Sequence, residues 1–163
     1  MSIQVRRAVA GEAEAMTDLC LRSKQSNGYD DDFMALCVDE LSVTSERVSK
    51  EFFIVAEHDS SALAGCASLA VKAGREGGEV KTFFVDPEWK RQGVGSLLWA
   101  EVVAQALSMK LEKLYLDADP SAVPFYQNLG FQTVGESPSG SIPGRVIPHM
   151  ILTGDALMQV EKQ

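Results

Sequence analysis

The chain has 163 residues, a length typical of one domain with a substantial core. Fifteen Lys and Arg against twenty-three Asp and Glu give a formal net charge of −8, so the surface on average repels nucleic acid and anionic lipid. With 45% apolar and 23% charged residues, the composition excludes a disordered or membrane-embedded chain. We expect one domain over residues 1–163, its core within about residues 3–152, and neither nucleic acid nor membrane as a partner.

The three cysteines, Cys20, Cys37 and Cys66, are odd in number and form no Cys-x-x-Cys pair. Neither a disulfide framework nor a thiolate metal cluster is therefore predicted, and no His or Cys grouping has the spacing of metal ligands. No stretch resembles a signal peptide or reaches the roughly 20 apolar residues of a membrane span. These features indicate a cytoplasmic protein with three buried thiols and no metal.

Apolar periodicity divides the chain into strands and helices, without an internal repeat or a linker. Strands are predicted at residues 3–9, 52–56, 63–71, 79–85, 114–116, from 131 onward, and at 146–152. Helices are predicted from residue 12 to before Asn27 and at 30–41, 44–50, 94–109 and 120–130, with a short helix or tail over 153–163. This order is typical of the mixed α/β class.

One segment carries chemical information: a strand ends at Asp86-Pro87, and a turn then enters the longest helix through Gly93 and Gly95. The free amides and the positive dipole end of a helix start bind phosphate, and glycines let the anion approach the backbone. Leu98 stands where a dinucleotide fingerprint needs glycine, and the Gly-Lys-Ser/Thr of a P-loop is absent. By itself, the turn is equally consistent with an ordinary strand-to-helix connection.

Two strings resemble signatures of the GCN5-related N-acetyltransferase (GNAT) superfamily. KRQGVG at 90–95 resembles its Arg/Gln-x-x-Gly-x-Gly/Ala loop, except that Lys90 replaces Arg or Gln, and VPFYQNLGF at 123–131 resembles its Phe-Tyr, Gly-Phe signature. The similarity covers about residues 3–152. It implies a three-layer fold with a central, mostly antiparallel sheet of about seven strands, splayed in the middle and flanked by four or five helices.

The resemblance also implies transfer of an acetyl group from acetyl-coenzyme A to a primary amine of a small molecule or peptide, by direct attack in a ternary complex. The pantetheine arm would lie between the strand at 79–85 and the next strand, and a backbone amide of Phe84 or Val85 would stabilise the oxyanion. The residues expected to contact the coenzyme are Phe83, Phe84, Val85, Lys90, Arg91, Gln92, Gly93, Val94, Gly95, Ser96, Asp119, Val123 and Phe125. Asp119 equally suits a cap for the helix beginning at Pro120.

Tyr126 stands at the superfamily's tyrosine position, whose phenol protonates the departing thiolate. A helical tyrosine more commonly packs against a sheet, and the surrounding motif favours the acid role here. Glu79 lies six residues before Val85, similar to the position of the base glutamate in histone-acetylating members. It is equally consistent with a solvated carboxylate at the wet start of its strand.

The acceptor is expected to lie between the first helices and the final hairpin. Tyr29 and Asp30 would surround a cationic amine, although aspartates at a helix start also complement the helix dipole. Arg145 would bind a substrate carboxylate or anchor its own loop. His149 lies on a strand predicted to be buried, which favours a core histidine over a second base.

Two other functions stay open at this stage. A non-catalytic module that binds acyl-coenzyme A would keep the glycine turn without turnover, and a nucleotide-binding regulator would use the same turn for ATP. A homodimer is compatible with the sequence, with Trp89, Trp99 or the final strand at its interface. Release of coenzyme A on addition of an amine separates an enzyme from a sensor.

Overall fold

The structure is a computed structural model that describes residues 2–59 and 62–162. Its strands are β1 Ile3–Arg7, β2 Phe52–His58, β3 Leu63–Leu69, β4 Gly78–Glu79, β5 Phe83–Val85, β6 Lys113–Asp117, β7 Gln132–Pro138 and β8 Val146–Thr153. Its helices are α1 Ala13–Gln25, α2 Asp31–Leu41, α3 Ser45–Lys50, α4 Val94–Ser108, α5 Val123–Leu129 and α6 Gly154–Lys162. The predicted order of elements is confirmed, and the C-terminal segment forms a sixth helix.

The strands form two four-stranded sheets, ordered β1-β2-β3-β5 and β4-β6-β8-β7. Only β4 and β6 pair in parallel within the described sheets, and the other pairs are antiparallel. An antiparallel bridge between Ala70 and Glu79 joins the two sheets where β3 passes β4. The mixed α/β fold with a mostly antiparallel, centrally divided sheet is therefore confirmed.

Local capping explains where several helices begin and end. The Asp30 carboxylate accepts a hydrogen bond from the Phe33 amide at the start of α2, and Thr44 Oγ1 accepts one from the Arg47 amide at the start of α3. Gly130 ends α5 with φ +107°, a left-handed conformation that favours glycine. The helix boundaries thus follow from residues that the sequence itself displays.

Two clusters of buried side chains hold the layers together. The larger one packs α4, α5 and α6 against one face of both sheets and includes Leu98, Leu116 and Met150. The smaller one packs α1 and α3 against the opposite face of the first sheet and includes Leu19 and Phe53. All three cysteines are free and buried, as predicted. No described helix is long and apolar enough to cross a membrane.

The strand predicted at 79–85 is interrupted, and this is the main difference from the prediction. Gly78 and Glu79 pair with β6, whereas Phe83–Val85 pairs with β3 in the other sheet. Val80 and Phe83 both pack into the larger core cluster, although side chains three residues apart on a regular strand point to opposite faces. The segment between them therefore acts as a bulge, and it turns Glu79 away from the face that Phe83 occupies.

Candidate functional site

A gap opens between β5 and β6 just beyond the bulge. The Val80 amide donates to the Tyr115 carbonyl at 3.0 Å, and from there β5 pairs with β3 while β6 pairs with β8. Each strand therefore turns an edge toward the gap, and an edge carries backbone N–H and C=O groups that can pair with an extended ligand. β5 and β6 do not pair with each other, so both strands have backbone groups available on the sides that face the gap.

The glycine turn lies at one end of this gap, at the start of α4. Gly93 has φ +82° and Arg91 has φ +63°, so both residues occupy the left-handed region. For Arg91 this conformation costs about 1–3 kcal/mol, and such strained residues concentrate at ligand sites. A Cβ atom on Gly95 would lie 3.4 Å from the Phe125 ring, which packs the helix start tightly against α5. No described side chain caps the start of α4, and uncapped amides at a helix start can bind an anion.

The long side chains of the turn bond away from the helix start. Lys90 Nζ donates to Ser26 Oγ at 2.6 Å, and Gln92 Nε2 donates to the Glu88 carbonyl at 3.1 Å. Ser96 and Arg91 are exposed. Of the residues predicted to contact pyrophosphate, those from Gly93 to Ser96 thus offer backbone amides, whereas the cationic side chains lie at the periphery.

Two of the aromatic side chains predicted to contact the coenzyme, those of Phe83 and Phe125, are in contact with each other and with Tyr126, whereas Phe84 packs against the smaller core cluster. The Phe83 ring lies 5.6 Å from that of Phe125 and 6.3 Å from that of Tyr126, centroid to centroid. Tyr126 is only 8% exposed, and burial raises the pKa of its phenol. The phenol therefore stays protonated at neutral pH, as a proton donor must. Val123 is half-buried and packs against the larger core cluster.

Glu79 lies on the opposite face of the second sheet from this aromatic cluster. It is the parallel partner of Tyr115, and its side chain is 14% exposed. Lys72 Nζ lies 2.8 Å from Glu79 Oε1 in an ion pair whose angles differ from those of a well-formed hydrogen bond. This contact with Glu79 raises the pKa of Lys72. Glu79 thus faces away from Tyr126, and its carboxylate is already ion-paired with Lys72.

A second polar group, the acceptor cluster, consists of Lys24, Tyr29, Asp119 and Arg145. The Tyr29 hydroxyl donates to Asp119 Oδ2 at 2.7 Å and accepts from Arg145 Nη2 at 3.0 Å. Lys24 Nζ donates to the same carboxylate oxygen at 3.3 Å. The cluster joins α1, the loop after it, the turn after β6 and the loop before β8. Two cations against one carboxylate leave a surplus positive charge.

The protonation of the acceptor cluster follows from its contacts. Burial opposes ionisation of Asp119, but hydrogen bonds from Ser121 and Tyr29 and the charge of Lys24 lower its pKa. Burial and the hydrogen bond to Asp119 raise the pKa of Tyr29. Asp119 also accepts from the Ser121 amide at 3.0 Å, which is the predicted capping role. Its carboxylate is therefore fully used by protein groups, and its contact with a coenzyme stays a prediction.

Among the described residues, the Asp30 side chain makes no contact with the side chains of Tyr29 and Arg145. Asp30 is exposed and caps α2 through the Phe33 amide, the alternative that the sequence left open. The Tyr29 ring instead stacks on Phe33 at 4.1 Å, and the Arg145 guanidinium lies 5.1 Å from the Phe33 ring centroid. A substrate role for Asp30 has no geometric support.

Asp117 and Lys24 were not predicted to belong to the site, and His149 was predicted to lie in the core. His149 is not in the core: its side chain is 21% exposed, and Nδ1 lies 2.7 Å from Asp117 Oδ1. The period of two that places Tyr115, Asp117 and Asp119 on one face of β6 and the turn that follows could have identified them. Lys24 carried no such signal, because a lysine in the last turn of a helix is ordinary. Within residues 2–59 and 62–162, no His, Cys, Asp or Glu group could hold a metal ion.

Comparisons with known proteins agree with this geometry. The profile of the acetyltransferase (GNAT) domain matches residues 22–141. GCN5-related N-acetyltransferase 2, chloroplastic, of Arabidopsis thaliana is 41% identical over 56 residues, which are 34% of this chain and 22% of that protein. Glucosamine 6-phosphate N-acetyltransferase of Trypanosoma brucei brucei is 31% identical over 75 residues, 43% of this chain and 51% of that one. The chain thus spans about half, or less, of these curated relatives.

A solved structure extends the likeness over the whole fold. The PaiA N-acetyltransferase of Thermoplasma acidophilum, in complex with coenzyme A, superposes with a TM-score of 0.74 at 18% identity. The superposition covers 94% of this chain and 99% of that one. The arrangement of both sheets around the central gap is therefore the arrangement of a known fold.

Proposed function

Since the chain belongs to the acetyltransferase (GNAT) domain family, we propose that it transfers an acetyl group from acetyl-coenzyme A to a primary amine. The acceptor amine belongs to a small molecule or a peptide and attacks the thioester directly while both substrates are bound. The observation that carries the proposal is the gap between β5 and β6, which ends at the left-handed Gly93 and the open amides of α4.

The donor would bind mainly through backbone groups. The pantetheine arm pairs with the free edge of β5, Phe83–Val85, in the manner of an added strand. The pyrophosphate rests on the amides of Gly93 to Ser96, where the positive end of the helix dipole attracts an anion locally. A backbone amide of Phe84 or Val85 stabilises the oxyanion of the tetrahedral intermediate.

Two side chains are proposed for proton transfer. The Tyr126 phenol, buried and protonated, donates to the coenzyme A thiolate as the carbon–sulfur bond breaks. For the base, the sequence predicts Glu79, which pairs with Tyr115 and faces the side of the second sheet opposite to Val80. Its ion pair with Lys72 would have to open before Glu79 could accept a proton.

The acceptor is proposed to be a small amine that also carries a carboxylate. The acceptor cluster has a surplus positive charge, and the Arg145 guanidinium has five N–H donors, of which one bonds to Tyr29. A substrate carboxylate can pair with the remaining donors. The cytoplasm is the compartment we propose, because all three cysteines are free.

Thermal melting tests the donor site. Acetyl-coenzyme A that binds only the folded state must raise the Tm, by an amount that corresponds to roughly 2.7 kcal/mol at a hundredfold excess over Kd. Absence of a shift at saturating acetyl-coenzyme A would contradict the proposal.

Thiol release then tests turnover with glycine, L-glutamate, L-lysine, spermidine, glucosamine 6-phosphate and an alanine-ended peptide as acceptors. We expect amine-dependent release of coenzyme A, fastest with an amine that carries a carboxylate. A Tm shift without thiol release from any of these amines would favour the alternative, a sensor that binds acyl-coenzyme A without turnover.

A further inference from the structure

A row of polar side chains crosses the acceptor-facing side of the second sheet. Leu114, Leu116 and Met150 point into the larger core cluster, so alternation places Tyr115 and Asp117 on the other face of β6. His149 is the antiparallel partner of Asp117 and lies on that same face. Along β6, this pair lies between Tyr115, which pairs with Glu79 of β4, and Asp119 of the acceptor cluster. β4 does not pair with this part of β6.

The geometry of the pair is that of an oriented imidazole. His149 Nδ1 and Asp117 Oδ1 are 2.7 Å apart, and in the neutral tautomer with its proton on Nδ1 the ring donates to the carboxylate while Nε2 keeps its lone pair. The imidazole is 21% exposed, which leaves it accessible to a substrate. The pairing of β7 with β8 shifts register between Thr133 and Gly135, directly opposite Met150 and His149. Such bulges locally re-aim side chains next to sites.

Glu79 is less available for the same task. Its side chain is 14% exposed and ion-paired with Lys72, and its neighbour Tyr115 is covered by the Arg75 guanidinium, 3.6 Å from the ring centroid. Removing a proton there would first require separation of an ion pair in a partly buried position, which costs free energy. His149 has no such cation among the contacts that the structure describes.

We propose that His149, in place of Glu79, accepts the proton from the acceptor's ammonium group and that Asp117 is its positioning residue. This inference rests on the proposed acetyl transfer. His149 Nε2 takes one proton from the ammonium, and the freed lone pair attacks the thioester carbon to form the C–N bond. Collapse of the oxyanion breaks the C–S bond, Tyr126 protonates the thiolate, and the nitrogen loses its second proton through solvent to the Tyr126 phenolate. His149 then releases its proton to water.

Several charged or titratable groups face this imidazole. Asp117 contacts it from β6, the Tyr115 ring lies 6.2 Å away, and Glu79 with Lys72 occupies the adjoining register from β4. Arg75 covers Tyr115 from the loop before β4. Asp117 is the only one of these groups in direct contact with the imidazole within the described structure, so its removal should disturb the orientation of the ring most.

The test compares pH profiles of kcat/KM for acetyl-coenzyme A and whichever amine of the panel above turns over fastest. His149→Asn keeps a donor toward Asp117 but lacks Nε2, and Asp117→Asn keeps the shape of the positioning residue. His58→Asn is the matched control, because the chain has two histidines and His58 stacks on Trp89, 4.7 Å between ring centroids, on the first sheet. NMR titration of the two imidazoles in the free enzyme gives their pKa values independently.

We expect the acid limb of the wild-type profile to follow the imidazole pKa that NMR assigns to His149. His149→Asn should abolish that limb and lower kcat/KM by roughly 10²- to 10⁴-fold. Asp117→Asn should move both the limb and the NMR pKa of His149 in the same direction. His58→Asn should leave the limb in place, and all variants should keep the Tm shift with acetyl-coenzyme A.

The opposite results separate the two proposals. Wild-type turnover with an unchanged acid limb in His149→Asn overturns the role of His149 alone, and loss of the limb in Glu79→Gln instead assigns the proton to Glu79. An acetyl-coenzyme A Tm shift without turnover of any amine overturns the acetyl transfer and, with it, this inference.

Discussion

The two halves of the candidate site, the proposed donor side and the proposed acceptor side, offer different chemical groups to a ligand. On the donor side, the contacts offered to a ligand come from the edge of Phe83–Val85 and the amides that begin α4, while Lys90 and Gln92 bond elsewhere. On the acceptor side, the contacts come from three charged side chains and one tyrosine that four separate segments bring together. Backbone contacts depend on conformation, and side-chain contacts depend on identity. The two halves should therefore respond differently to substitution.

The largest effect is expected where a donor-side residue acts through its side chain. Tyr126→Phe removes the phenol but keeps the ring that packs on Phe83 and Phe125. We expect kcat to fall by roughly 10²-fold or more, with the acetyl-coenzyme A Tm shift unchanged. Steady-state kinetics and melting check this, and a kcat within threefold of wild type would remove Tyr126 from the mechanism.

A substitution at Gly93 tests whether the donor side depends on backbone conformation. Gly93→Val forces a β-branched residue to φ +82° and should abolish the Tm shift with acetyl-coenzyme A. Gly74→Val is the matched control, because Gly74 has φ +78° and open space around its Cβ direction but lies in the loop before β4. Both variants should lose similar basal stability, roughly 1–3 kcal/mol, and only Gly93→Val should lose binding.

Substitution of Arg145 tests the acceptor side. Arg145→Ala should raise KM for a carboxylate-bearing amine by about 10- to 100-fold, since a hydrogen bond to a charged group contributes about 1.5–3 kcal/mol. Arg145→Lys should restore the charge but not the planar pair of donors, and should recover only part of the loss. KM for acetyl-coenzyme A should not change, and an equal rise in both KM values would contradict the division into two halves.

Lowering the pH should destabilise the acceptor cluster before it affects the donor side. The pKa of Asp119 is lowered in the folded protein, so its contribution to stability is present above the ordinary aspartate pKa, about 3.9, and is lost as pH falls through the folded value. Tm should therefore fall more steeply below about pH 4 in wild type than in Asp119→Asn. Parallel curves for the two proteins would show that Asp119 does not contribute.

The smallest effect is expected at Arg91. Arg91→Gly relieves a positive φ of +63° but adds chain entropy to the unfolded state, so we expect the free energy of unfolding to change by less than about 1 kcal/mol. Loss of one peripheral cation should weaken acetyl-coenzyme A binding only a few-fold. Isothermal titration at two salt concentrations measures this, and a hundredfold loss would show that side chains dominate the donor side too.

The donor side was largely predictable because its signals are local. Gly93, Gly95 and the Pro87 that ends the preceding strand stand within nine residues of one another, and each is tied to a backbone conformation. The starts of α2 at Asp30 and of α3 at Thr44, and the end of α5 at Gly130, were predictable for the same reason. Such features need no knowledge of the rest of the chain.

The acceptor side and the bulge were not predictable, because their causes are distant in sequence. Residues 79–85 read as one strand, and only competition between β3 and β6 for pairing divides them. Asp117 and His149 are 32 residues apart, and neither neighbourhood indicates the other. Lys24 lies 95 residues before the carboxylate it contacts. Side-chain pairs of this kind follow from topology, which single-residue patterns do not contain.

The span of the acceptor cluster also constrains the order in which the molecule assembles. Its hydrogen bonds join Tyr29 to residues 90 and 116 positions later, so each closes a loop of most of the chain. Such closures become favourable only after shorter-range pairings have brought the segments together. We therefore expect the cluster to form after both sheets and to open without disturbing the core. Substitutions in the cluster can then alter the proposed preference for an acceptor while the folding of the core continues unaltered.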